Sequence, residues 1–162
     1  MNTSTAPETV TGPRGLLACR LDGQSYALSL CDVREIRSYE SPHRIACTPP
    51  ALLGVFDLRG TIVPVLDLRL QLGLPPTDVP GGGAVVIVER DGRPVGLRVD
   101  SVSDVLELPD GAMRPLPALA TGLPRALLCG AAQLGDELLL QFDLEALLHQ
   151  AGLGDLSVPV PH

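Results

Sequence analysis

At 162 residues the chain can form one globular domain or two very small ones, and its 45% hydrophobic and 19% charged content fits a folded protein. Twelve basic against 19 acidic residues leave a formal charge of −7, which argues against nucleic acid and anionic membranes as partners, because both need a positive footprint. Aromatics are only 2% with no Trp, so the core must be built from Val, Leu, Ile and Ala, while 17 Gly and 16 Pro imply many turns and many short strands.

Residues 1–15 are rich in Thr, Ser and Pro and hold no apolar stretch, so they read as a loose tail and not as a signal peptide. Strand-like runs 16–21 and 24–30 flank Asp22-Gly23, a hairpin signal, because the tight turn needs positive φ. A short strand-like segment, Val33-Arg34-Glu35-Ile36, follows. A further strand pattern ends at Arg59-Gly60, and in the next Pro64 falls inside the run, which places it at an edge or a bulge. Asp67 precedes a short helical pattern and suits an N-cap, since its carboxylate can accept from exposed backbone N–H groups. Residues from Pro75-Pro76 to Gly81-Gly82-Gly83 read as a connector.

The pattern then starts again. Runs 84–90 and 93–100 flank Asp91-Gly92, 69 residues after the first Asp-Gly turn. The same offset carries Val33-Arg34-Glu35-Ile36 onto Val102-Ser103-Asp104-Val105. Residues 52–68 recur at 128–144, offset 76, with a turn at Gly60 or Gly135 and Asp143 as the second N-cap, before a short C-terminal helix and a second tail at 151–162. Each half therefore offers about five strands, and closing each half into a small barrel would remove most exposed edges. The expected division is 16–80 and 84–145, with the C-terminal helix packing across. Within the second half, Val95, Leu97 and Val99 alternate on one face, leaving Arg98 as a solvated outer position.

The chemistry-bearing residues form no catalytic pattern. Cys19, Cys31, Cys47 and Cys129 lack C-x-x-C spacing and a nearby His, and read as reduced core thiols, with no metal site. His43 lies in a loop, His149 ends a helix and His162 is terminal. Phosphate-binding and nucleophile-elbow motifs are absent, and the scattered carboxylates suit caps, turns and solvated faces. No cofactor is expected, and no apolar run reaches the length of a membrane helix. Glu35, between apolar neighbours, and Arg59, at a strand-to-turn junction, admit two readings: a local salt bridge, or positions on an interaction surface.

At these residues a family becomes recognisable. The run Gly54-Val55-Phe56-Asp57-Leu58-Arg59-Gly60-Thr61-Ile62-Val63-Pro64-Val65-Leu66-Asp67-Leu68-Arg69 resembles the signature G-V-x-N-L-R-G-x-I-V-P-V-x-D-L-R of CheW-type coupling proteins. Val33-Arg34-Glu35-Ile36-Arg37 resembles that family's V-x-E-I-R, the stretch from Val99-Asp100 to Val105-Leu106 its V-D-x-V-S-D-V-L, and Met113-Arg114-Pro115-Leu116-Pro117 its I-R-P-x-P. The likeness runs from about Leu16 to His149. It implies a mostly β protein of two five-stranded SH3-like β-barrels packed together, with short helices. It also implies a non-catalytic adaptor or scaffold that couples chemoreceptor signalling tips to the regulatory domain of a CheA-type histidine kinase, cytoplasmic and recruited to membrane-associated receptor arrays. By resemblance Val33, Glu35, Ile36, Arg59 and Gly60 belong to the partner-binding surface, with Val102 and Val105 beside a groove between the barrels that would take a receptor helix. Two alternatives share the pattern: a divergent coupling protein of a dedicated non-flagellar pathway, and a kinase regulatory domain standing alone. Asp57 departs from the usual Asn and puts a negative charge two residues from Arg59, and Cys47 departs from a small polar residue.

Overall fold

The two Asp-Gly turns carry the left-handed backbone their sequence requires, with φ of 54° and 81° at Asp22 and Gly23 and 53° and 76° at Asp91 and Gly92. Each closes an antiparallel hairpin, β1 (Arg14–Leu21) with β2 (Gln24–Ser29) and β6 (Ala84–Arg90) with β7 (Arg93–Val99). The computed structural model describes residues 14–46, 48–75, 80–116 and 124–153. The other strands are β3 (Val33–Ser38), β4 (Leu52–Leu58), β5 (Thr61–Asp67), β8 (Ser101–Leu108), β9 (Leu128–Leu134) and β10 (Glu137–Phe142). Helix α1 (Leu68–Gln71) follows β5 and α2 (Leu144–Gln150) follows β10. Both begin as expected: Asp67 Oδ1 accepts from Arg69 N–H at 2.9 Å, and Asp143 Oδ1 from Ala146 N–H at 3.2 Å. The tails at 1–13 and 154–162, including His162, lie outside the described residues, as do Cys47, 76–79 and 117–123.

The strands form two five-stranded sheets, as expected, but the sheets do not follow the division at 16–80 and 84–145. The first sheet has the order β8-β1-β2-β10-β9 and the second β3-β6-β7-β5-β4. Each half lends its leading hairpin to the other half's sheet, so the duplicated unit is exchanged. The two orders are the same order under the repeat, down to the register. Leu17 opposite Val105 corresponds to Val86 opposite Ile36, and the parallel pair Ala27–Gln141 to Gly96–Val65. Exchange was invisible in the pattern because identical units pair equally well within or between copies. A second correction is small: β1 starts at Arg14, inside the stretch 1–15 expected to be a tail.

Neither sheet closes by a continuous ladder. The chain leaving β3 instead returns to β4 by one bridge, His43 N–H to Val55 O at 2.8 Å and Val55 N–H to His43 O at 2.9 Å. Its counterpart after β8 joins Arg114 and Ala131, with both bonds at 2.8 Å. Gly54 explains how the first return chain comes so close, since a Cβ there would sit 2.2 Å from the His43 carbonyl oxygen. Pro64 is not at an edge, as β5 lies between β4 and β7. It is tolerated because Val55, opposite it, turns both backbone groups to His43, and the ladder to β7 begins only at Val65.

Apolar side chains alternate between three cores. Leu16, Ala18, Ala27, Leu108, Ala132 and Leu139 fill the inner face of the first sheet. Leu58, Val63, Val85 and Ile87 fill that of the second. Between the sheets lies a larger shared cluster, with Leu17, Leu21 and Leu28 from one side, Leu66, Val86 and Leu97 from the other, and Leu144, Leu147 and Leu148 of α2. Strands β1 and β6 are thus buried on both faces, which is why they read as nearly unbroken apolar runs. The same geometry corrects Arg98. The face opposite Val95, Leu97 and Val99 is the inside of the second sheet, where Arg98 donates to Gly82 O at 2.9 Å and lies 3.9 Å over the Tyr39 ring. The cysteine expectation also divides. Cys19 is fully buried, whereas Cys31 and Cys129 are exposed and not core thiols.

Candidate partner-binding surface

Strand β3 lies at one end of the second sheet, with β6 along one side. A bulge at Arg34 sets Val33 against Val88 and Glu35 against Ile87. Val33 therefore packs on the shared core, while Glu35 comes to the mouth of the second sheet. Across that mouth is the β4–β5 turn, where Arg59 and Gly60 have φ of 51° and 91°, the same left-handed pair as in the Asp-Gly hairpins. The turn projects the Arg59 side chain back to β3, and its Nη2 donates to Glu35 Oε1 at 2.8 Å. The pair is therefore a salt bridge, and its arginine side chain remains 72% exposed.

Arg37, which the sequence reading passed over, reaches the second Glu35 oxygen at 3.7 Å and lies 5.2 Å over the Phe56 ring. Its i+2 spacing from Glu35 on one strand was the signal that could have found it. Asp57 shares a cavity with Arg37 and His43 and does not take Glu35's place on Arg59. Ile36, on the other face of β3, is 46% exposed.

The two remaining expected residues lie on β8, at an end of the first sheet. The 69-residue shift superposes them on the first set: Val102, like Val33, packs on the shared core, and Val105, like Ile36, is an exposed apolar side chain at 54%. The seven residues thus form two clusters, one per sheet, at equivalent positions. Only the first carries the ion pair, because Asp104 and Gly135 stand where Glu35 and Arg59 stand in the other copy.

A buried cluster that sequence reasoning missed lies elsewhere in the fold. Arg69, only 8% exposed, sets its fork on Asp100, Nε to Oδ1 and Nη2 to Oδ2, each at 2.7 Å. Burial works against ionisation of Asp100, but the Arg69 hydrogen bonds, the Asp22 N–H and the charges of Arg69 and Arg98 outweigh it and hold the carboxyl below its ordinary range. Burial and the Asp100 charge push the neighbouring Cys19 thiol up to about 12. Among the described residues no group of three or more His, Cys, Asp and Glu could hold a metal ion, and no helix is long and apolar enough to cross a membrane.

Paired, similarly wound sheets with a strand-borne surface of charged and apolar side chains define a class of mostly β proteins with an internal repeat. Comparison with known proteins narrows it. The CheW-like domain model matches residues 15–152. The chain is 38% identical over 128 residues to the chemotaxis protein CheW of Klebsiella aerogenes, covering 79% of this chain and 77% of that protein. It is 32% identical over 139 residues to a probable chemotaxis protein CheW of Rhizobium etli, covering 86% and 90%. The crystal structure of scaffolding protein TtCheW from Thermoanaerobacter tengcongensis superposes with a TM-score of 0.77 at 29% identity, over 84% of this chain and 92% of that one. This chain belongs to the CheW-like domain family.

Proposed function

We propose that the protein is a non-catalytic adaptor that couples chemoreceptor signalling tips to the regulatory domain of a CheA-type histidine kinase. It would be cytoplasmic and drawn to receptor arrays by those contacts. The observation that carries the reading is the Glu35–Arg59 pair at the mouth of the second sheet. A pair this exposed adds only about 0–1 kcal/mol to stability, so folding does not explain it. Its effect is to fix an arginine with unspent donors at a defined place on a rigid strand pair, which suits recognition of a partner's carboxylates or backbone carbonyls. Exposed Ile36 and Val105, with Val33 and Val102 seated on the shared core, supply apolar ground on which the apolar stripe of a receptor helix can dock. The family's names, chemotaxis protein and scaffolding protein, agree with this reading.

The test is reconstitution of receptor tip, kinase regulatory domain and this protein, with binding and kinase activity measured together. Wild type is expected to hold both partners, and Arg59→Glu, which sets two acidic groups face to face, to weaken at least one by roughly tenfold or more, about 1.4 kcal/mol. A wild-type protein that captures neither partner would sink the proposal.

A further inference from the structure

The two crossovers between sheets are built differently, although the repeat makes them equivalent. The chain passes from β2 to β3 through Leu30–Asp32, and from β7 to β8 through Asp100. At the first, Arg90 reaches Asp32 at 3.5 Å and Glu145 at 3.7 Å, with the Glu145 side chain 80% exposed. At the second, the carboxylate of Asp100 receives both arms of Arg69 and also the Asp22 N–H at 2.8 Å, while its own N–H donates to Arg20 O at 3.1 Å. Arg69 further donates to Pro75 O at 2.6 Å and lies 3.4 Å from Asp22 Oδ1. One buried guanidinium thus ties together the β1–β2 turn of the first sheet, the start of β8 and the chain after α1. The positions equivalent to Arg69 and Asp100 in the other copy are Glu145 and Cys31, which cannot form such a pair.

We infer that Arg69 is a positioning residue: its fork on Asp100 fixes the start of β8 and so sets how Val102 and Val105 are presented. The inference rests on the functional reading above only for what β8 presents them to. Val102 is two residues beyond the clamped carboxylate, and a strand rising directly from a fixed point has little freedom to tilt. The bidentate geometry requires arginine, since a lysine offers one point of charge and no fork. Exposed pairs such as Arg90–Glu145 are screened and weak, whereas removing one partner of a buried pair leaves a charge without compensation. The clamp therefore holds β8 more firmly than the Arg90 contacts hold β3.

Arg69→Met, which keeps the length of the stem without the fork, is compared with wild type by residue-resolved amide exchange and by binding to the receptor tip and the kinase regulatory domain. Leu58→Ala, in the inner core of the second sheet, serves as a control for general destabilisation. The expected result is at least tenfold faster exchange in residues 101–105 with little change in β3, an intermediate effect for Arg69→Lys, and weaker binding of the receptor tip with kinase binding kept. Unchanged β8 exchange in Arg69→Met, or the same β8 loss in Leu58→Ala, would overturn the positioning role. Loosened β8 with full receptor binding would uphold the clamp and refute β8 as the receptor-facing strand.

Discussion

The repeat supplies its own control for a test of how the sheets are sealed. Gly54 and Gly130 occupy equivalent positions beside the two return bridges, yet their surroundings differ. A methyl group at Gly54 would meet the His43 carbonyl carbon at 2.8 Å and its oxygen at 2.2 Å, on a backbone with φ of 153°. Backbone cannot swing aside as a side chain can, so the bridge must break. Losing its two hydrogen bonds costs about 1 kcal/mol each, and the unfavourable φ adds about 1 kcal/mol more. A total of roughly 3 kcal/mol lowers Tm by about 6–12 °C in a chain of this size. At Gly130 the closest atoms are Met113 Cγ at 3.0 Å, part of a flexible side chain, and Arg114 O at 3.1 Å, and φ is not positive. Gly130→Ala should therefore cost about 1 kcal/mol, near the mean for point substitutions. Thermal unfolding followed by circular dichroism gives the difference, and amide exchange at His43 and Val55 shows whether the bridge has gone. Equal losses in the two variants, or a protected Val55 amide in Gly54→Ala, would refute the reasoning.

Two further outcomes follow from titratable groups. Cys19, buried and with its thiol raised to about 12, should resist iodoacetamide at neutral pH until the protein unfolds, while exposed Cys31 is labelled in the native state and Cys129, whose thiol is pushed up by burial and the Asp143 charge and donates to Phe142 O at 3.6 Å, is labelled more slowly than Cys31; site-resolved mass spectrometry reads this directly, and early labelling of Cys19 would contradict the burial. Asp100 has its folded pKa held below the ordinary 3.8, so it contributes stability that is present above that value and is lost as pH falls through the folded pKa. Asp100→Asn should be less stable than wild type at neutral pH, with the gap closing in urea titrations carried down from pH 5 to pH 2.

Local chemistry was readable from the sequence wherever a residue type answers to its own backbone. The Asp-Gly turns, the capping aspartates and the repeat offsets needed nothing beyond their neighbours. Glu35 and Arg59 stand out by their setting, a charge between apolar residues and an arginine at a strand-to-turn junction, but their assignment to a partner surface, with that of Val33, Ile36, Gly60, Val102 and Val105, comes from the family resemblance. What escaped notice depended on the third dimension. Arg98 was placed in solvent because alternation separates two faces without saying whether the second is water or the inside of a curled sheet. Pro64 reads as an edge or bulge residue, and only the edge is wrong: the β4 register shifts one pair away, between Leu52 and Gly54, while the escape of Val55's hydrogen bonds to His43 crosses a loop and leaves no local signal. The Arg69–Asp100 pair joins residues with no periodic relation, and exchange of the hairpins leaves no trace in a pattern that is the same in both copies.

That exchange has a consequence for how the molecule can be made. As the chain leaves the ribosome, β1 and β2 emerge first, apolar on both sides, while the strands that flank them, β8 and β10, are among the last to be synthesised. The opening hairpin must therefore wait, unsheltered, for most of translation, and assembly is dominated by contacts between distant parts of the sequence, the kind that close slowly. A messenger cut short after β5 would leave β1 and β2 without β8 and β10, and β3 and β5 without β6 and β7, so every sheet contact that crosses between the halves would be missing.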